Sequence, residues 1–191
     1  MEAGDSDLYF KAGNDNMVKE NYEDAILNYD KAIEINPSFV SAWNNKGIAL
    51  SRLKRYEDAI NCYDKAIAIE PRHANAWYNK AKAYRDMGQS RLDKANEDRT
   101  RAAKLINESL VFFDTANECY DKAIEIEPHH ANAWYNKAKA YRDMGQSRLD
   151  KANEDRTRAA KLINESLAFF DTANECYNKG DALSKAQDQS H

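Results

Sequence analysis

Cysteine is scarce. Cys62, Cys119 and Cys176 are the only three, and each lies 57 residues from the next. That is too few and too far apart for a disulfide framework, so a reduced, cytoplasmic chain is the simplest expectation. No apolar run approaches the ~20 residues that span a bilayer. The opening "MEAGDSD" is acidic and lacks an apolar core, so it does not read as a signal peptide. Positive charge is not in excess: 28 Lys and Arg face 32 Asp and Glu, a net charge of −4. A nucleic-acid partner, which needs a basic face, gains no support. There is no G-x-G-x-x-G, no P-loop and no G-x-S-x-G. No His or Asp companion sits beside any of the cysteines, so packing is the expected role rather than nucleophilic catalysis. The four histidines, His73, His129, His130 and His191, lack the H-x3-H type of spacing that a metal site wants. We therefore expect no enzyme activity, no cofactor and no metal.

What the chain does have is repetition. Residues 73–120 and 130–177 match at 48 aligned positions with one difference, Val111 against Ala168. Near-identity of this kind points to a recent duplication, natural or engineered. A shorter period runs beneath it. "YDKAIEINP" and "YDKAIAIEP" place Pro37 and Pro71 34 residues apart, and Trp43 and Trp77 have the same spacing. From Pro71 to Pro128, and from Trp77 to Trp134, the spacing is 57. The long unit is thus a 34-residue unit with 23 residues inserted.

The 34-residue unit resembles the tetratricopeptide repeat (TPR), a helix–turn–helix module whose pattern is W-x2-L-G-x2-Y, then A-x3-F, then P. The first unit carries Tyr9, Ala12, Gly13, Ala25, Tyr29, Ala32 and Pro37. The second carries Trp43, Lys46, Gly47, Leu50, Ala59, Tyr63, Ala66 and Pro71. The third opens with Trp77, Lys80, Ala81 and Tyr84 and closes with Ala116, Tyr120, Ala123 and Pro128. The fourth opens with Trp134, Lys137, Ala138 and Tyr141, then departs after Tyr177, with Gly180 in place of Ala and no Pro. The resemblance implies an all-α solenoid of four antiparallel hairpins in a right-handed superhelix, the last two hairpins elongated. The repeats would span about residues 6–39, 40–73, 74–130 and 131–187 as one array, with tails at 1–5 and 188–191. One hairpin cannot bury its apolar face alone, so the units must stack.

The insertion falls between Gly88 and Ala116. Pairing Ala81 with Ala116 and stepping outward brings apolar or small residues together: Tyr84–Phe113, Met87–Leu110, Gly88–Ser109, Leu92–Leu105 and Ala95–Ala102. The spacing therefore predicts that both helices grow by roughly three turns and that the turn moves out to Asn96–Thr100, with Asn96 or Asp98 as a cap. The second copy predicts the same with a turn near Asn153–Thr157. The stretch from Ser90 to Lys104 holds five basic and three acidic residues. A solvated hairpin end is the first reading of that run, a binding tip the second. Val111 is expected to face the following repeat, where Ala168 has none beyond it.

Function is expected to be binding. In the family the first helices line a groove that holds an extended peptide or a helix. One subclass grips a C-terminal carboxylate with a clamp of Lys, Asn, Asn, Lys and Arg. Asn14 and Asn45 match it, but Phe10, Asn75 and Asn79 stand where the three cations belong. A carboxylate clamp is therefore not expected. The candidate groove residues are Asn14, Asn45, Asn75, Tyr78, Lys82 and Arg85, with Asn132, Tyr135, Lys139 and Arg142 in the second long unit. The trios Tyr78–Lys82–Arg85 and Tyr135–Lys139–Arg142 should present the same chemistry twice. The partner is expected to be a protein or peptide, with no nucleic acid and no membrane. The alternative is a structural or self-assembling scaffold with no specific ligand.

Overall fold

The computed structural model describes residues 3–98, 100–154 and 159–188. Among them are eight α-helices and no strand: α1 (Ala3–Val18), α2 (Tyr22–Ile35), α3 (Val40–Arg52), α4 (Tyr56–Ile69), α5 (Ala74–Glu97), α6 (Ala102–Ile126), α7 (Ala131–Glu154) and α8 (Ala159–Asp188). The all-α class and the lengthening of the later helices are as the sequence predicts. Two compact units divide within α5, Met1–Ala83 and Tyr84–His191.

In the first unit, α1 and α3 are antiparallel partners of α2 and α4. Glycine sets the distance between partners. A Cβ built on Gly13 would lie 2.5 Å from Cε1 of Tyr29, and one on Gly47 would lie 2.5 Å from Cε1 of Tyr63. Both rings are fully buried, so only hydrogen fits at these two positions. Three further contacts recur from hairpin to hairpin. The indole N–H of Trp43 donates to the Pro37 carbonyl at 3.0 Å, and that of Trp77 to the Pro71 carbonyl at 3.0 Å. Lys46 pairs with Asp30, and Lys80 with Asp64 at 2.5 Å. The turns close on residues in the left-handed region, Glu20 at φ 60° and Lys54 at φ 59°. The Arg55 N–H donates back to the Leu50 carbonyl at 2.9 Å, which satisfies a helix-end acceptor.

In the second unit, α5 runs unbroken through Gly88 and Ser90, so "MGQS" makes no turn. It ends at Glu97, one turn intervenes, and α6 starts at Ala102. Asp98 organises that turn. Its Oδ1 accepts from the Thr100 N–H at 3.1 Å and from the Thr100 hydroxyl at 2.5 Å. Asp98 does not cap the helix directly, because the residue preceding α6 is Arg101 and makes no side-chain capping bond. The second turn, expected near Asn153–Thr157, reaches into residues 155–158, which lie outside the described residues.

The extension is held by a core of Ala95, Ala102, Leu105, Ile106, Leu110 and Phe113, closed by Met144 of α7 with Leu92 alongside. Leu92, Leu105, Ala95 and Ala102 thus meet as the register predicts. Two pairs differ. Gly88 lies under Phe113, with a Cβ-to-ring distance of 2.8 Å, and Tyr84 stacks on Phe112 at 6.5 Å. Side chains on a helix lean toward its N-terminus. On α6 that direction leads to the tip, so Phe113 reaches one turn beyond its Cα-level partner. Ser109, expected beside Gly88, instead donates to the Ile106 carbonyl of its own helix at 2.7 Å. Val111 also differs from expectation. It is 63 % exposed, so it does not make the contact to the next hairpin.

Candidate functional site

On α1 and α3, Asn14 and Asn45 are half-buried and joined in one hydrogen-bonded chain. Asn79 of α5 donates to Asn44 Oδ1 at 3.0 Å, Asn44 to Asn45 Oδ1 at 3.2 Å, and Asn45 to Asn14 Oδ1 at 3.0 Å. Asn14 Oδ1 also accepts the Tyr29 hydroxyl at 2.8 Å. An amide that bonds on both sides cannot rotate freely, so the chain fixes the orientation of a polar surface. Burial holds the Tyr29 phenol up at about 12, against an opposing contribution from Asn45. Phe10 lies against Tyr29 at 5.9 Å and Phe39 at 4.8 Å, so it belongs to the aromatic core of this hairpin. Asn75 is exposed, while Tyr78 and Lys82 are half-buried.

The two trios are not equivalent. Arg85 is only 8 % exposed. Its Nη1 donates to Asn136 Oδ1 on α7, and its Nη2 donates to Asp86 Oδ1 at 2.7 Å. Burial alone pulls this guanidinium down, but Tyr120, Asp86 and Asp143 outweigh it and the net direction is up. Arg85 thus holds α7 in place. Its counterpart Arg142 is exposed, as are Lys139 and Asn132. Tyr135 is half-buried, with its ring 5.3 Å from that of Tyr177 in an edge-on contact. Burial, then the nearby Asp181, pushes its phenol up. Asp143 lies among Lys139, Arg85 and Arg142, and burial pushes its carboxyl up against the pull of those cations. Its Oδ2 is shielded from solvent and takes no hydrogen bond among the described residues. α7 thus offers two exposed cations, Lys139 and Arg142, and the half-buried Tyr135, while Asp143 is turned inward.

Several contacts that hold this surface together were not singled out from sequence. Asn136, Asn44 and the Lys–Asp pairs are examples. The pairs did carry a signal, since Asp30–Lys46, Asp64–Lys80 and Asp121–Lys137 are all 16 residues apart. His130 serves as a cap, its Nδ1 accepting the Ala133 N–H at 3.3 Å. The three cysteines are not joined in disulfides and are buried at equivalent positions of their repeats. Burial raises the Cys62 thiol to about 11, with Lys46 opposing. No helix among the described residues is long and apolar enough to cross a membrane.

Comparison with known proteins locates this architecture. Tetratricopeptide repeat family models match residues 7–54, residues 40–73, and residues 62–95 with 119–152. Together they span well over half of the chain, and the stretch between the last two matches, residues 96–118, is as long as the 23-residue insertion. A comparison with curated protein sequences finds no significant match. Among solved structures, the crystal structure of MamA is 22 % identical with a TM-score of 0.59, covering 93 % of this chain and 81 % of that one. The first TPR of Spaghetti (RPAP3), bound to the HSP90 peptide SRMEEVD, is 19 % identical with a TM-score of 0.58, covering 73 % and 93 %. The TPR2B domain of yeast Sti1, in complex with pHsp70, is 20 % identical with a TM-score of 0.51, covering 74 % and 97 %. At these identities the likeness is one of fold. The family matches, the Gly–aromatic contacts and the Trp–Pro bonds agree: the chain belongs to the tetratricopeptide repeat family.

Proposed function

We propose that this chain is a protein-interaction module that holds an extended or helical peptide segment against its first helices, with α7 as the principal contact. The observation that carries this reading is the difference between Arg85 and Arg142. Arg85 is spent on Asp86 and Asn136, whereas Arg142 is exposed beside Lys139 and Tyr135. Domains of this fold bound to an HSP90 peptide and in complex with pHsp70 support a peptide or protein segment as the ligand class. Binding is favoured over catalysis because the cysteines are buried, and the Cys62 thiol, raised to about 11, would be protonated at neutral pH.

The chemistry of the site narrows the ligand. Phe10, Asn75 and Asn79 replace the cations of a carboxylate clamp, so a free C-terminus is not what is gripped. Lys139 and Arg142 favour an acidic side chain. Tyr135 favours an apolar or aromatic neighbour. The test is selection from a displayed peptide library on the intact protein, followed by calorimetry. Lys139→Glu is expected to weaken the selected peptides by roughly tenfold or more, and wild-type affinity should fall with added salt. Affinity that ignores both charge reversal and salt would set this reading aside.

A further inference from the structure

α6 and α8 carry the same outward stripe at heptad spacing. On α6 it is Ile106, Leu110, Phe113, Asn117 and Tyr120; on α8 it is Ile163, Leu167, Phe170, Asn174 and Tyr177. The α6 copy is covered. Ile106 and Leu110 are 5 % exposed and Phe113 and Tyr120 are fully buried. Met144 of α7 completes that core, and Asn117 Nδ2 lies 3.4 Å from its sulfur. Lys151 of α7 bonds Asn107 at 2.9 Å and Lys137 bonds Asp121 at 2.5 Å, so the two helices run antiparallel. The protein therefore displays what this stripe does when it has a partner helix. On α8 three of the same apolar residues are open: Leu167 is 55 % exposed, Tyr177 52 % and Ile163 42 %, while Phe170 is half-buried over Gly145.

The occupant of that face is constrained by one substitution. In every earlier hairpin an aspartate on the second helix receives a lysine from the next first helix: Asp30 from Lys46, Asp64 from Lys80, Asp121 from Lys137. On α8 that position is Asn178. The acid that would receive another repeat of the same kind is missing. What remains is a stripe with no formal charge, two heptads long, with an asparagine among its apolar positions. Such a pattern suits pairing with a copy of itself. The face is also self-complementary in shape. Ile163 and Leu167 stand proud on the tip side of Phe170. On the other side lies an open pocket of about 330 Å³ lined by Ala138, Arg142, Phe170, Ala173, Asn174 and Tyr177.

We propose that two copies of this chain associate through the outer face of α8, antiparallel, with Leu167 of each copy entering the pocket beside Phe170 and Tyr177 of the other. The pairing is isologous, so it closes as a dimer and does not propagate. It spans about 21 Å of helix. That is the low end of specific contacts, and dissociation is expected at roughly tens of micromolar. The face does not require the peptide reading above, although Arg142 borders both.

Sedimentation equilibrium of the intact protein from micromolar to submillimolar concentration tests this. The 21.9-kDa chain should approach twice its mass at the upper end. Leu167→Glu, with helicity checked by circular dichroism, should weaken the dimer by about 30-fold or more. Val111→Glu, at an exposed site of α6, should leave it unchanged. A monomer at every concentration overturns the proposal, and so does a dimer that Leu167→Glu leaves intact or Val111→Glu abolishes. A peptide of residues 131–154 that binds this face while the chain stays monomeric would assign it to a repeat-like helix instead.

Discussion

Single residues carry the tightest constraints. Gly47 has the Tyr63 ring where a Cβ would go, at 2.5 Å, and Tyr63 is 1 % exposed with no room to retreat. Gly47→Ala should therefore destabilise by about 1–3 kcal/mol in urea unfolding, despite alanine's better helix propensity. Lys54 presents the opposite case. It sits at φ 59° in an exposed turn, so Lys54→Gly should leave stability unchanged or raise it by up to about 1 kcal/mol. Burial also sets a pH limit. The Tyr29 phenol lies at about 12 in the fold against 10.0 when free. The folded protein thus binds the proton more tightly than the unfolded chain. The corresponding stability is whole below pH 10 and is lost as pH rises through 12. A thermal midpoint followed from pH 8 to 12 should begin to fall near pH 10, and Tyr29→Phe should soften that fall.

At the scale of the element, the long hairpins show how a repeat can be lengthened without losing its packing. The Gly47–Tyr63 contact of α3 and α4 has a relative in Gly88–Phe113 on α5 and α6, and again in Gly145–Phe170 on α7 and α8, the last at 2.9 Å. Gly88 lies seven residues beyond Ala81, and Phe113 seven before Tyr120, so the close approach is repeated two turns outward. Beyond it the core thins to Leu92, Leu105, Ala95 and Ala102. Leu105→Ala should cost about 1–3 kcal/mol, below a closed core because the tip is partly wet. Hydrogen exchange should show residues 92–105 opening before residues 110–120; equal protection throughout would contradict this. Much of this element was legible in sequence, because antiparallel helices pair residues by simple counting. The one-turn offset of Phe113 was not, since counting fixes Cα positions and not the lean of a side chain. Val111 was misplaced for a related reason: a hydrophobic residue beside the stripe need not lie on it.

At the scale of the whole molecule, near-identical sequence is given different work by its surroundings. Arg85 and Arg142 occupy the same place in the repeat. Nothing in their local sequence separates them, so the sequence could only present them as twins. The helix that follows decides: α7 supplies Asn136 to Arg85, and Arg142 stays exposed. The same logic separates the covered stripe of α6 from the open one of α8. The claim that context assigns these roles is tested most directly by urea unfolding of Arg85→Gln and Arg142→Gln side by side. Arg85→Gln should lose about 1–3 kcal/mol, because it leaves Asp86 and Asn136 without their shared donor. Arg142→Gln should stay within about 0.5 kcal/mol of the parent protein. Equal losses from the two variants would contradict the account.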